Sequence, residues 1–136
     1  MIEELTPRQV WEALMSNPEA TLCDVRTTAE WSFVGVPDLS QTGKQPVLIQ
    51  WQVFPNMQPN PKFVEALTQA NVHHSNHVYF LCRSGGRSMA SALAAKAAGY
   101  KHVYNVKDGF EGPLDARAHR GGIAGWKHEG LPWKQG

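Results

Sequence analysis

His77-Val78-Tyr79-Phe80-Leu81-Cys82-Arg83-Ser84-Gly85-Gly86-Arg87-Ser88-Met89-Ala90 is the stretch from which the fold is read. Its first five residues are rich in β-branched and aromatic side chains, as a strand prefers. The run ends at a cysteine and passes a glycine pair. From Ser88 to Ala98 it becomes alanine-rich, with high helix propensity. Gly99 stands where a left-handed residue closes a helix. Strand, tight loop and helix in direct succession place the loop at the carboxyl edge of a sheet, where α/β proteins hold their ligands.

Working outward, the same alternation recurs. Thr6 and Pro7 form an N-cap and first-turn pair, Val10, Trp11, Leu14 and Met15 follow at helical spacing, and Asn17-Pro18 ends the helix. Thr21 to Val25 reads as a short buried strand, and Thr27 to Trp31 as a helical turn. Arg26 and Glu30 stand at i,i+4, which predicts a local ion pair. Val34-Gly35-Val36-Pro37 is extended, and residues 38–46 form a polar loop. Val47 to Trp51 predicts a second strong strand. Pro55, Pro59 and Pro61 punctuate a loop before an amphipathic helix carrying Phe63, Val64, Leu67 and Ala70. His102 to Val106 is the last strand. The tail, Gly109 to Gly136, contains seven glycines and reads as loops with one short helix near Ile123 to His128. Strands alternating with helices predict an α/β fold: a central, mainly parallel sheet with helices on both faces.

With 136 residues, the expectation is one domain over residues 1–136. Apolar residues make up 42% and charged residues 18%, enough to close one core. A net charge of +1 with no long basic run speaks against nucleic-acid binding and against attraction to anionic membranes. The acidic start Met1-Ile2-Glu3-Glu4-Leu5 lacks the apolar segment of a signal peptide, and no apolar run is long enough to span a bilayer. Cys23 and Cys82 make neither a disulfide framework nor a CxxC pair, so a reducing cytoplasm is the expected location. No oligomeric state is read from the sequence.

The loop carries the chemistry. It aims backbone N–H groups and a helix N-terminus at the Cys82 sulfur, and Arg83 and Arg87 add two guanidinium groups. Together these favour a thiolate or a persulfide anion on Cys82. Gly85 and Gly86 let the backbone curl around it. Cys82 is therefore the expected nucleophile. Arg83, Ser84, Gly85, Gly86, Arg87 and Ser88 form the expected anion-binding loop, with Arg87 as the stronger of the two arginines.

At these residues the chain resembles the rhodanese family. The spacing is Cys-x4-Arg, whereas phosphatases of the tyrosine and Cdc25 type need the arginine one position later, where Ser88 stands. Other motifs follow in order. Asp24-Val25-Arg26 with Glu30-Trp31 is similar to the family's early motif. Val34-Gly35-Val36-Pro37 stands near its Gly-x-Ile-Pro-Gly-Ala element, with Asp38-Leu39 in place of the last pair. Asn105-Val106 and Gly109-Phe110 resemble its last strand and glycine turn. Gly125-Trp126 and Gly130-Leu131-Pro132-Trp133 resemble its closing elements. The segment Glu111 to Gly121 looks like an insertion. The resemblance implies a sulfurtransferase that passes sulfane sulfur from a small anionic donor such as thiosulfate to cyanide, a thiol or a protein cysteine, through a persulfide on Cys82. It implies no metal and no organic cofactor. A dedicated sulfur carrier, with the insertion as a docking loop, and a phosphatase or arsenate reductase are the alternatives.

Other residues carry weaker signals. Asp24 reads as a structural carboxylate and Cys23 as a small apolar strand residue rather than a resolving thiol. His73, His74 and His77 form a cluster that reads as solvated rather than metal-binding. His119 and Arg120 would approach the substrate only if the insertion folded over the loop. The five tryptophans read as core or lid residues.

Overall fold

The computed structural model describes residues 2–53 and 55–135. In chain order the elements are β1 (Glu3–Leu5), α1 (Pro7–Ser16), β2 (Ala20–Asp24), α2 (Thr28–Phe33), β3 (Val36–Pro37) and β4 (Val47–Leu48). They continue with β5 (Gln52–Val53), β6 (Gln58–Pro59), α3 (Phe63–Gln69), β7 (His77–Leu81), α4 (Gly86–Ala97), β8 (His102–Val106) and β9 (Trp133–Lys134). Five strands form one sheet in the order β1-β8-β7-β2-β4, and every pairing in it is parallel. The predicted central parallel sheet flanked by helices is what the chain forms.

Strict alternation along the inner strands makes two apolar layers. Leu22, Tyr79, Leu81 and Val106 face one side and pack with Val10 and Leu14 of α1, Phe110 and Trp126. Cys23, Val78, Phe80, Cys82 and Val103 face the other, under Phe63 and Leu67 of α3 and Ala92 and Ala95 of α4. Small alanines let α4 lie close on β7 and β8. Thr6 opens α1 with a reciprocal cap in which its hydroxyl accepts from the Gln9 N–H, while the Gln9 side chain accepts from the Thr6 N–H.

Several expectations are corrected. The second strong strand shrinks to Val47–Leu48. After it, the Ile49 N–H donates to the Asp24 carbonyl and the Trp51 N–H to the Val25 carbonyl, so the chain peels away along the end of β2. No helix forms near Ile123 to His128, because the Trp126 and Lys127 N–H groups donate to the carbonyls of Gly109 and Phe110 instead of to their own preceding turn. The helix α4 begins at Gly86, two residues earlier than its alanine run suggests. Several short pieces were not expected, among them the pair β5 and β6 inside the stretch read as a loop. The edge strand β1 carries two exposed glutamates, and β9 pairs antiparallel with β3. Among the described residues, no helix is long and apolar enough to cross a membrane.

Candidate active site

Cys82 stands one residue past β7, 1% exposed, on the α3/α4 side of the sheet. Its Sγ accepts a hydrogen bond from the Gly85 N–H at 3.1 Å and lies 3.2 Å from Ser88 Oγ. Gly85 has φ +116, a conformation that favours glycine and turns its N–H back onto the sulfur. The same residue caps α4, so the sulfur meets the amino end of that helix, where its dipole favours negative charge. Among the described residues, Gly85 supplies the one backbone N–H bonded to the sulfur. Arg83, Ser84 and Gly86 are exposed, whereas Gly85 and Arg87 are half-buried.

Ser88 is fully buried beneath the sulfur. Behind it stands Asn105 of β8, which no sequence motif marked for the sulfur. Asn105 donates through Nδ2 to Glu4 Oε2 at 2.9 Å and to the Gly85 carbonyl at 3.1 Å. Its Oδ1 therefore faces Ser88 and accepts the hydroxyl proton in a very short bond. The signal for Asn105 was present: it shares the inward parity of Val103, and a polar residue there needs partners. The Ser88 hydroxyl has one proton and three acceptors within reach: Asn105 Oδ1, the Gly85 carbonyl and the sulfur when it is ionised.

Two arginine–carboxylate pairs flank the loop, and neither is the expected Arg26–Glu30 pair. Arg26 turns to Asp24, with 2.7 Å between Nη2 and Oδ2, and also donates to the Gly35 carbonyl. Its guanidinium lies 4.3 Å from the centre of the Phe110 ring. Thr27 is the N-cap of α2, so Arg26 precedes the helix and its spacing to Glu30 is not helical. Glu30 instead takes Arg87 in a two-pronged contact of 2.7 and 2.9 Å. Burial opposes charge on Glu30. Hydrogen bonds from Arg87 and the Thr27 backbone, with the Arg87 charge, outweigh it and hold the carboxyl down at about 2. The loop arginine expected to bind an anion most strongly is thus already engaged, while Arg83 has no carboxylate partner among the described residues.

The insertion folds over the loop. The Phe110 N–H donates to the Cys82 carbonyl, and those of Glu111 and Gly112 to the Arg83 carbonyl. Gly109 makes this approach feasible: at φ +62, a Cβ there would collide with the carbonyls of Cys82 and Arg83. The segment closes on itself where the Gly121 N–H meets the Glu111 carbonyl at 2.7 Å. Inside, Asp115 Oδ1 accepts from the N–H groups of Arg117 and His119. Arg120 donates to the Gly112 carbonyl at 2.8 Å and lines a cavity of about 620 Å³ together with Arg83, Arg87, Glu30, Glu111 and Met57. His119 is exposed and does not line it.

Elsewhere, burial and then the neighbouring Asp24 charge push the Cys23 thiol far up, as for a strand residue that stays protonated. The histidine cluster disperses. His74 lies edge-on to Tyr100, and His77 stacks on His102 and meets the Tyr104 hydroxyl. Trp126 is a core residue whose indole N–H donates to the Pro132 carbonyl.

Set beside known proteins, this fold and loop fall in one class: the chain belongs to the rhodanese-like family, matching the family described as the STR4 middle domain over residues 3–136. It is similar to Rv0390 from M. tuberculosis, whose crystal structure superposes with a TM-score of 0.89 at 48% identity over 98% of both chains. It is 35% identical over 133 residues to the uncharacterized protein RC0915 of Rickettsia conorii, covering 98% of each. It is 29% identical over 127 residues to the chloroplastic rhodanese-like domain-containing protein 4 of Arabidopsis thaliana, covering 93% of this chain and 24% of that one.

Proposed function

We propose that this protein is a sulfurtransferase, one domain in extent, that carries sulfane sulfur as a persulfide on Cys82. The observation that carries this reading is the Cys82 sulfur at a strand end, bonded by the Gly85 N–H at the amino end of α4 within a Cys-x4-Arg loop. A group so placed stabilises an anionic sulfur without needing a general base. In the first half-reaction, the Cys82 thiolate attacks the outer sulfur of a donor such as thiosulfate. A Cys82 S–S bond forms, the donor's S–S bond breaks, and sulfite leaves with the electron pair. In the second, a thiophilic acceptor (cyanide, a thiol or a protein cysteine) attacks the outer sulfur, and the Cys82 thiolate is restored. The Ser88 hydroxyl can turn its proton to the sulfur in the anionic states, and the loop from Arg83 to Ser88 cradles the donor.

The test is thiocyanate release from thiosulfate and cyanide. The expected result is a set of parallel double-reciprocal plots as the second substrate is varied, the signature of two half-reactions, with turnover at background in Cys82→Ser. A Cys82→Ser variant that turns over like the unmodified protein would sink the reading.

A further inference from the structure

Glu4 lies on an edge strand, outside the loop and its cavity, yet a continuous line of hydrogen bonds joins it to the Cys82 sulfur. In the parallel pairing of β1 with β8, Glu4 stands opposite Asn105, so the two side chains leave the same face of the sheet. Glu4 Oε2 accepts from Asn105 Nδ2 at 2.9 Å. Asn105 Oδ1 accepts from the Ser88 hydroxyl, and Ser88 Oγ lies 3.2 Å from Cys82 Sγ. The line thus runs from an exposed carboxylate to a sulfur that is 1% exposed.

Each link has a direction. An ionised carboxylate can only accept, so Glu4 and the Gly85 carbonyl take both N–H groups of the Asn105 amide. A half-turn of that amide would set Oδ1 against two acceptors, which opposes it. Oδ1 therefore faces Ser88 and draws the single hydroxyl proton away from the sulfur. An amide that donates to a charged acceptor is polarised, and its own oxygen then accepts more strongly. The charge of Glu4 strengthens the hold of Asn105 on the proton for which Cys82 competes.

We infer that Glu4 is a positioning residue that sets the reactivity of Cys82 through Asn105 and Ser88, by opposing the turn of the Ser88 proton onto the anionic sulfur. A thiolate that gains this bond more readily forms at lower pH and attacks more slowly once formed. Glu4 therefore keeps the ionised sulfur nucleophilic. The consequence for transfer rests on the sulfurtransferase reading, whereas the effect on the thiol does not.

The other charges near the sulfur stay in place when Glu4 is changed. The loop supplies Arg83 and Arg87, the latter held by Glu30 of α2. On the β2 side stand the Asp24–Arg26 pair and the protonated Cys23 thiol. Glu111 and Arg120 line the cavity from the insertion, and Asp108 lies beside Gly85. From α3 come Phe63 and Leu67, which carry no charge.

The experiment is the rate of Cys82 alkylation by iodoacetamide from about pH 5 to 9, in a Cys23→Ala background that leaves one thiol to read. Glu4→Gln keeps the length and the acceptor and removes the charge. It is expected to raise the rate about threefold on the acidic limb and to move the whole profile to lower pH, with no rise on the alkaline plateau. The shift is expected to vanish in Ser88→Ala, which lacks the hydroxyl that carries it. A profile that does not move overturns the inference, and so does a rise of equal size at every pH, the mark of a loosened site. A shift that persists in Ser88→Ala also overturns it, because the charge would then act through space. Glu4 is exposed, so its variant probes chemistry rather than folding. If Ser88→Ala does not fold, the comparison is made in 1 M potassium chloride, where the Debye length is about 3 Å. A shift that survives the salt supports the hydrogen-bonded line, and a shift that is lost overturns it. A profile that moves as stated in a protein that transfers no sulfur spares this inference and sinks the sulfurtransferase reading. Sulfur transfer with an unmoved profile does the reverse.

Discussion

Two cysteines project from neighbouring parallel strands into the same apolar layer, Cys23 at 0% and Cys82 at 1% exposure. Exposure does not tell them apart; position along the strand does. Cys23 lies inside β2, between β7 and β4, with backbone pairing on both sides and the Asp24 carboxylate next in the chain. That surrounding penalises a thiolate twice, through burial and through charge. Cys82 lies one residue beyond β7, where the chain leaves the ladder and a glycine can turn its N–H onto the sulfur. Each cysteine also has an arginine pair nearby in the chain or the loop. The Asp24–Arg26 pair is sealed at 0% exposure for both side chains, whereas Arg87–Glu30 stands 18% and 19% exposed on the cavity wall. The strand interior builds the fold, and the strand end builds the site.

The comparison can be broken first at the sealed pair. Asp24→Ala leaves the Arg26 charge buried without its partner and should cost about 3–5 kcal/mol of stability, read by urea denaturation at neutral pH. A loss well under 1 kcal/mol would mean that the pair does not brace the sheet. On the site side, Asn105→Ala removes the acceptor of the Ser88 hydroxyl and the donor to the Gly85 carbonyl. It should cost about 1–3 kcal/mol and slow sulfur loading of Cys82 in the folded protein, followed by the rate of appearance of the loaded mass. Loading at the unmodified rate would show that the Ser88–Asn105 pair only packs.

The smallest effect concerns the half-open pair and depends on pH. The Glu30 carboxyl is held down at about 2, below its ordinary 4.5, so its contribution to stability is fully present above about pH 4.5 and is lost as pH falls toward 2. Glu30→Gln should therefore melt below the unmodified protein at pH 6, and the gap should narrow steadily as pH falls from about 4.5 toward 2. A gap that is constant across this range would show that the charge on Glu30 does not contribute.

Much of this was legible in the sequence because local signals agreed with the fold. The strands His77–Leu81 and His102–Val106 form with those bounds, since each is bounded by turn chemistry and buried on both faces. Cys82 and the glycine loop could be placed because the end of a strand and the start of a helix leave little freedom between them. The partners of the loop could not. Glu30 and Asn105 reach the loop from α2 and β8, and Arg26 looked paired with Glu30 until the N-cap at Thr27 put it outside the helix. Ser88, read as part of the anion-binding loop, faces inward on the first turn of α4 with its hydroxyl 3.2 Å from the sulfur. The place of Arg120 depends on how an irregular segment closes, through Gly121 onto Glu111 and through Gly109 onto the loop carbonyls, and no periodicity encodes that.

The most direct test of the contrast between the two thiols is intact mass after incubating the reduced protein with thiosulfate, with Cys82→Ser and Cys23→Ala alongside. The account predicts a gain of about 32 Da, one sulfur, in the unmodified protein and in Cys23→Ala, lost on adding cyanide and absent from Cys82→Ser. A gain that persists in Cys82→Ser and disappears in Cys23→Ala would contradict it.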